Sequence, residues 1–316
     1  MSERVSKPKH HSLPDHNEME WNKISLMGLG LLGGSLGKAI IAGNHAQKIA
    51  GFVRRPEAVA EALETGVVHQ ASMDLDVITR DADLIILCTP ILKMRPIVEA
   101  MIPHLKPGVI VTDVGSAKGY LVQELEPIIA QSGGFFIGSH PMAGSERQGM
   151  AHADPDLFKG AACVLTPTRQ TPPHVTEKVS NLWELVGGTP VLMDPDKHDQ
   201  VVAQCSHLPH LVAALLAHST LSPDHGEQQA SLCSSGFRDT TRVASGSPEM
   251  WGDIVSTNKK ALLESLEAHE HQSQKLRQWI QSDDHDAILA WLSESKRRRD
   301  NWLKQYLQRP SQEDGA

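Results

Sequence analysis

Apolar positions fall in short runs at 24–27, 48–53, 84–88, 109–112, 135–138, 162–166 and 189–193. Between several of these runs lie stretches with helical spacing, at 31–42, 57–65, 93–102, 117–131 and 173–186. Apolar runs separated by helices predict a parallel, doubly wound α/β sheet, because strands buried on both faces read as continuous hydrophobic segments. The later runs follow long connections, so the pattern leaves their direction open. After Asp194 the strand-like runs stop and helical spacing continues to Leu307. There Leu262, Leu263 and Leu266 share one helical face, Leu276, Trp279 and Ile280 a second, and Ile288, Trp291 and Leu292 a third. The expected organisation is a polar, disordered tail at 1–20, a dinucleotide-binding domain at 21–193, an all-α domain at 194–309 and a short disordered tail at 310–316. An all-helical half with this much apolar surface also suits a homodimer interface.

The first run leads directly into Gly28-Leu29-Gly30-Leu31-Leu32-Gly33, and the loop opens the 31–42 helix. Strand, G-x-G-x-x-G and helix in that order form a Rossmann-type dinucleotide fingerprint. The first glycine permits a tight turn, the second a close approach of backbone to pyrophosphate, and the third close helix–strand packing. The helix N-terminus then presents unpaired N–H groups and a positive dipole end to the phosphates. Thr89 and Pro90 end the 84–88 run, where a nicotinamide ribose commonly passes. At the end of the second strand, where NAD-preferring domains usually carry Asp or Glu, the chain has Val53 followed by Arg54 and Arg55. The missing carboxylate removes repulsion of a 2′-phosphate and an arginine can pair with it. The signature therefore points to NADP, with NAD as the alternative.

Composition narrows the function classes. The chain has 316 residues, 40% of them hydrophobic, enough for two domains of ~150 residues. A net charge of −8 argues against general nucleic-acid binding, and the basic run 296–299 reads as a solvated helix face. Four cysteines, Cys88, Cys163, Cys205 and Cys233, are widely spaced without C-x-x-C, which fits a reducing compartment and a cytoplasmic protein. The sequence offers no apolar segment of the ~18 residues a membrane helix needs, and its N-terminus lacks a signal peptide's apolar core.

Ligands bind outside the carboxyl ends of strands in such sheets. Ser116 follows the 109–112 run, where it can cap the next helix and also face the ligand. His140 stands directly after a strand run and before a small-residue turn, and an imidazole with an ordinary pKa of about 6.5 can take a proton near neutrality. In the second half, His207 and His210 lie three residues apart, but no third ligand accompanies them, so no metal site is expected. Pro209 is expected to kink its helix and free backbone groups. Arg238 and Arg242 precede Trp251, and a guanidinium near the cleft would pair bidentately with a carboxylate.

These residues carry a family resemblance. From about Lys23 to Tyr306 the chain resembles the prephenate/arogenate dehydrogenases of tyrosine biosynthesis. The resemblance rests on Gly28 to Gly33, Asp113 to Lys118, His140-Pro141-Met142-Ala143-Gly144-Ser145-Glu146, Leu157-Phe158-Lys159-Gly160, Ser206-His207-Leu208-Pro209-His210, and Gly236 through Trp251. It implies a Rossmann domain, a helical dimerising domain, and oxidative decarboxylation of a cyclohexadienol between them. It further implies that His140 is the base on the ring hydroxyl, with Ser116 beside it. His210 and Arg242 would hold the substrate's carboxylates with Ser206 nearby, Glu146 would gate the pocket, and Trp251 would reach the partner subunit's site. Prephenate and arogenate are not distinguished by any residue identified here. A Rossmann 3-hydroxyacid dehydrogenase and a non-catalytic nucleotide sensor are the competing classes; the His140 and His210 segments argue against the first, and His140, Ser116 and Arg242 against the second.

Overall fold

Strands β1 (Trp21–Met27), β2 (Ala46–Phe52), β3 (Gln70–Ser72), β4 (Leu84–Leu87), β5 (Ile110–Asp113) and β6 (Phe135–Phe136) pair in parallel in the order β3-β2-β1-β4-β5-β6. The computed structural model describes residues 21–145, 147–222 and 226–307. Both expected tails (1–20 and 310–316) and Glu146 lie outside the described residues. Helices α1 (Leu31–Ala42), α2 (Pro56–Glu64), α3 (Leu75–Thr79), α4 (Ile91–Met101) and α5 (Gly119–Gln131) connect the strands. The period-2 alternation of a strand sorts its side chains between two cores. Ile24 and Leu26 of β1, with Leu84 and Ile86 of β4, pack toward α1 and α2. Met27, Ile85 and Leu87 pack toward α4 and α5. Each such buried aliphatic side chain contributes about 1.5–3 kcal/mol relative to exposure. The strand order reverses between β1 and β4, which puts the ligand crevice beyond their carboxyl ends.

The expected single sheet is in fact two. β7 (Gly138–Pro141), β8 (Ala162–Thr166) and β9 (Thr189–Leu192) form a separate sheet, with β7 antiparallel to β8 and β8 parallel to β9, covered by α6 (Pro173–Leu185). The 135–138 run is shared between the two sheets: Phe135 and Phe136 pair with β5, and Gly138 pairs with Thr166 of β8, so closely that a Cβ there would lie 2.5 Å from the Thr166 hydroxyl. β3 escaped the hydrophobic pattern, since Gln70, Ala71 and Ser72 are short, half-buried and mostly polar.

From Pro195 the chain is helical. α7 (Pro195–Val202), a π-helical turn (Ala203–His207) and α8 (Leu208–Thr220) form one continuous helix. They are followed by α9 (Gly226–Leu232), α10 (Ser235–Thr241), a 3-10 turn (Arg242–Ser245), α11 (Pro248–Thr257), α12 (Lys259–Gln281) and α13 (His285–Leu307). The long helix Pro195–Thr220 corrects one expectation: by length and composition alone it is apolar enough to cross a membrane. Four of its polar side chains, His198, Asp199, His207 and His210, are nevertheless buried against the rest of the protein. Pro209 sits in the first turn of α8, and the disturbance expected there takes the form of the preceding π turn. Along α12 the buried face is Ala261, Leu262 and Ser265, so Leu263, grouped with Leu262 by spacing, points outward at 56% exposure.

Candidate active site

At the carboxyl edge of the main sheet, the glycine loop has the geometry of a phosphate cradle. Gly28 has φ +100°, and a Cβ there would meet Thr89 Cγ2 at 2.9 Å. A Cβ on Gly33 would overlap the Gly28 carbonyl oxygen, whereas one on Gly30 would meet nothing within 4 Å. Leu29 is buried and Leu31 and Leu32 are half-buried, so these three anchor the loop. The N-terminus of α1 has no side-chain cap and no acidic residue in its first turn. The Thr89 hydroxyl is buried without a partner, and Pro90 begins α4. At the end of β2, Val53 is buried while Arg54 and Arg55 are exposed. These groups fit a dinucleotide: an open dipole end for its phosphates, a backbone stripped of Cβ atoms, and an orphaned hydroxyl beside it.

Two further helices starting at this edge, α4 and α5, are closed by the helical half. Asp253 of α11 accepts from the Leu92 N–H at 3.1 Å, at the start of α4. Asp199 of α7 accepts from the N–H groups of Lys118 and Gly119 at 2.7 and 2.9 Å, at the start of α5. Carboxylates at helix N-termini satisfy orphan donors and complement the dipole. Of α1, α4 and α5, only α1 is left open. Ser116 is not the cap foreseen for α5, which begins at Gly119 without a side-chain cap of its own; Asp199 takes its first N–H groups instead.

His140 lies on β7, buried, above a polar layer. Lys118, fully buried, forms an ion pair with Asp113 and donates to the Ser139 carbonyl at 2.8 Å. Asp113 also accepts from the N–H groups of Gly115 and Ser139 at 2.7 and 3.1 Å. Desolvation raises Asp113 and lowers Lys118, and each charge offsets the shift on the other. This layer ties β5 to the strand that carries His140.

His140 Nδ1 lies 2.9 Å from His198 Nε2, and His198 Nδ1 lies 2.8 Å from Asp199 Oδ1. The imidazole therefore meets the helical half directly. Asn258, at the start of α12, donates to the Asp199 carbonyl at 2.9 Å and lies 3.2 Å from His207 Nδ1. The His207 ring stands edge-on to Trp251, which stacks on His210 with centroids 3.5 Å apart and planes 12° apart. His210 also approaches the Val243 backbone, next to exposed Arg242 on the 3-10 turn. Ser206 is half-buried on the π turn, one residue before His207. Trp251 thus packs on a histidine of its own chain.

Burial, reinforced by the His198 ring, Lys118 and His207, holds His140 well below the ordinary 6.5. Burial likewise lowers His198 and His210, and it brings His207 down to about 4. These rings are neutral at pH 7. His140 is therefore not poised near neutrality, as its ordinary pKa suggested; its lone pair is unprotonated over the whole neutral range, and the burial that keeps it so also makes it a weaker base than a solvated imidazole.

The structure links His140, His198, Asp199, Asn258, His207, Trp251 and His210 through consecutive contacts, with Ser206 and Arg242 adjoining them. His198, Asp199, Asn258 and the Lys118 side chain had not been singled out from sequence. Two surface hollows, one beside Gly133 and Phe135 and one beside Glu264 and His271, contain none of these residues.

Comparison with known proteins agrees with this geometry. Residues 36–192 match the family model described as prephenate dehydrogenase, nucleotide-binding domain, and residues 194–294 match prephenate dehydrogenase, dimerization domain. The chain is 33% identical over 289 residues to a prephenate dehydrogenase of Bacillus subtilis, an alignment covering 90% of this chain and 76% of that one. A crystal structure of prephenate dehydrogenase from A. aeolicus, in complex with hydroxyphenyl propionate and NAD+, aligns with TM-score 0.83 at 30% identity, over 93% of this chain and 99% of that one. Synechocystis arogenate dehydrogenase aligns with TM-score 0.76 at 35% identity, over 89% and 99%.

Proposed function

The chain belongs to the prephenate dehydrogenase family, and on that premise we propose that it converts prephenate to 4-hydroxyphenylpyruvate by NAD(P)-dependent oxidative decarboxylation. The observation that carries this reading is the buried imidazole of His140, held where the sheet and the helical half meet, 2.9 Å from His198. His140 Nε2 accepts the proton of the ring hydroxyl as the carbon that bears it is oxidised. A bound nicotinamide supplies the hydride acceptor. Loss of carbon dioxide makes the ring aromatic and is favourable in itself, so the protein's task is to position the ring and polarise its hydroxyl. Ser116 contacts the same region. Arg242 and His210 hold the carboxylates, the guanidinium through a bidentate pair, with Ser206 nearby. Glu146 gates the pocket, and Trp251 fixes the His210 ring by stacking.

Gly28, Leu29, Gly30, Leu31, Leu32 and Gly33, with Thr89 and Pro90, form the nucleotide site in this reading. Exposed Arg54 and Arg55 after a strand end without a carboxylate favour NADP over NAD. The protein acts as a cytoplasmic homodimer joined through its helical half. Support for the dimer comes from the matched dimerization family model and from α13, which buries no side chain within the chain while Leu289 and Leu292 are about half exposed. Free thiols at all four cysteines fit a reducing compartment.

Oxidation of arogenate to tyrosine is the second reading, favoured by the likeness to the Synechocystis enzyme. Both substrates are to be assayed with both nucleotides by the absorbance of the reduced cofactor. The highest kcat/KM is expected for prephenate with NADP. A higher value with arogenate selects the second reading, a strong NAD preference overturns the nucleotide assignment, and no reduction with either substrate overturns the enzyme reading.

A further inference from the structure

We propose that His198 and Asp199 are positioning residues that fix the tautomer of His140, leaving its Nε2 lone pair free for the substrate. The inference rests on the reading of His140 as the base and names what makes it one. Asp199 accepts from two backbone N–H groups and presents Oδ1 to His198 Nδ1 at 2.8 Å. A carboxylate cannot donate, so the proton in that contact is on His198 Nδ1. A neutral His198 then has its lone pair on Nε2, which lies 2.9 Å from His140 Nδ1. That contact in turn needs its proton on His140 Nδ1. A neutral His140 is left with a lone pair on Nε2, which pairs with no protein group among the described residues.

Each step follows from the one before, and the chain starts at a fixed point. Asp199 is held by the first N–H groups of α5, so its orientation is set by the sheet domain's own backbone. His198 is carried by the helical half, one residue before Asp199. The tautomer of a residue on β7 is thus fixed by an element joined to it only through tertiary packing. The arrangement has the logic of a buried carboxylate orienting a catalytic histidine, lengthened by one ring. A purely structural role, in which Asp199 caps α5 and His198 fills space, predicts no dependence of His140's protonation site on residue 198.

Two variants separate these roles. His198→Phe keeps the ring's bulk but removes the acceptor from His140 Nδ1. His198→Gln can accept from His140 through Oε1 and donate to Asp199 through Nε2, so it preserves both hydrogen bonds. Side-chain 15N NMR of histidine-labelled protein reports which nitrogen carries the proton, and the signal lost in His140→Asn identifies His140. Wild-type His140 is expected to be protonated on Nδ1, and H198F to shift it toward Nε2. In H198F, kcat should fall about 10²- to 10⁴-fold, the scale of loss when a catalytic histidine is held in the wrong tautomer, with KM within about three-fold. H198Q should regain roughly ten-fold or more of that kcat and the Nδ1–H signal. An Nε2–H signal for His140 in the wild type overturns the proposal, whether or not H198F folds. So does H198Q if it is as slow as H198F with the same tautomer as the wild type. Full turnover in His140→Asn removes the base reading itself, whereas an inactive His140→Asn beside wild-type turnover in H198F overturns the relay alone.

Discussion

At the scale of single residues, the site is a cluster of rings kept neutral by burial, and this has a consequence for stability. His140, His198, His207 and His210 all titrate below 6.5 in the folded chain, chiefly through desolvation. Unfolded, each regains an ordinary pKa near 6.5. Between the two values the unfolded state binds more protons, so stability rises with pH and is lost as pH falls. The window opens at pH 6.5 and extends to about 4, where His207 titrates in the fold. Denaturation midpoints measured from pH 7.5 to 4 should drop steadily below 6.5; a flat profile down to pH 5 would show that these rings are not buried neutral. His140 was legible in the sequence by its place beside an apolar run and before a small-residue turn, although it lies within β7 rather than after a strand. His198 and Asp199 were not, because Asp196-Lys197-His198-Asp199 reads like any solvated first turn of a helix. What distinguishes them is a contact with residues some 60 to 80 positions away, which spacing along the chain does not encode.

At the scale of elements, α1, α4 and α5 begin at the carboxyl edge of the sheet and their N-termini meet different ends. α4 and α5 are closed by Asp253 and Asp199, and α1 is left for the nucleotide. The glycine loop was fully legible, since its fingerprint is local and each glycine answers a backbone requirement. The capping of α5 was not, because its cap comes from α7 and replaces the local candidate Ser116. The last two glycines of the loop, Gly30 and Gly33, make a paired test. Gly33→Ala forces a methyl group into the Gly28 carbonyl, so it should lower stability by roughly 1–3 kcal/mol and weaken nucleotide binding with it. Gly30 has extended backbone and open space around its Cβ position. Gly30→Ala should therefore keep the wild-type Tm while raising the KM for nucleotide several-fold, because the new methyl stands where the pyrophosphate approaches. A Gly30→Ala enzyme with unchanged nucleotide KM would move the phosphates elsewhere.

At the scale of the whole molecule, the chain changes from strands to helices after Leu192, and the chemistry lies along that change. The alternation of apolar runs disclosed the main sheet and the helical half, because both patterns are written at short range. It did not disclose that β7, β8 and β9 leave the main sheet, since that depends on which strands pair across long connections, which apolar spacing does not encode. Leu263 of α12 and Leu292 of α13 were each read as part of an apolar face, yet both are at least half exposed within one chain. Through Asp199, Asp253 and Ile254 the helical half is anchored on the sheet, and the proposed function requires that His140 of one half and Arg242 of the other converge on one substrate. The steady-state kinetics of His140→Asn and Arg242→Ala, measured side by side on prephenate, test that convergence most directly. The account predicts that His140→Asn loses most of kcat, about 10²-fold or more, with KM little changed, while Arg242→Ala raises KM with kcat largely kept. A His140→Asn enzyme with wild-type kcat, or an Arg242→Ala enzyme with wild-type KM, would contradict it.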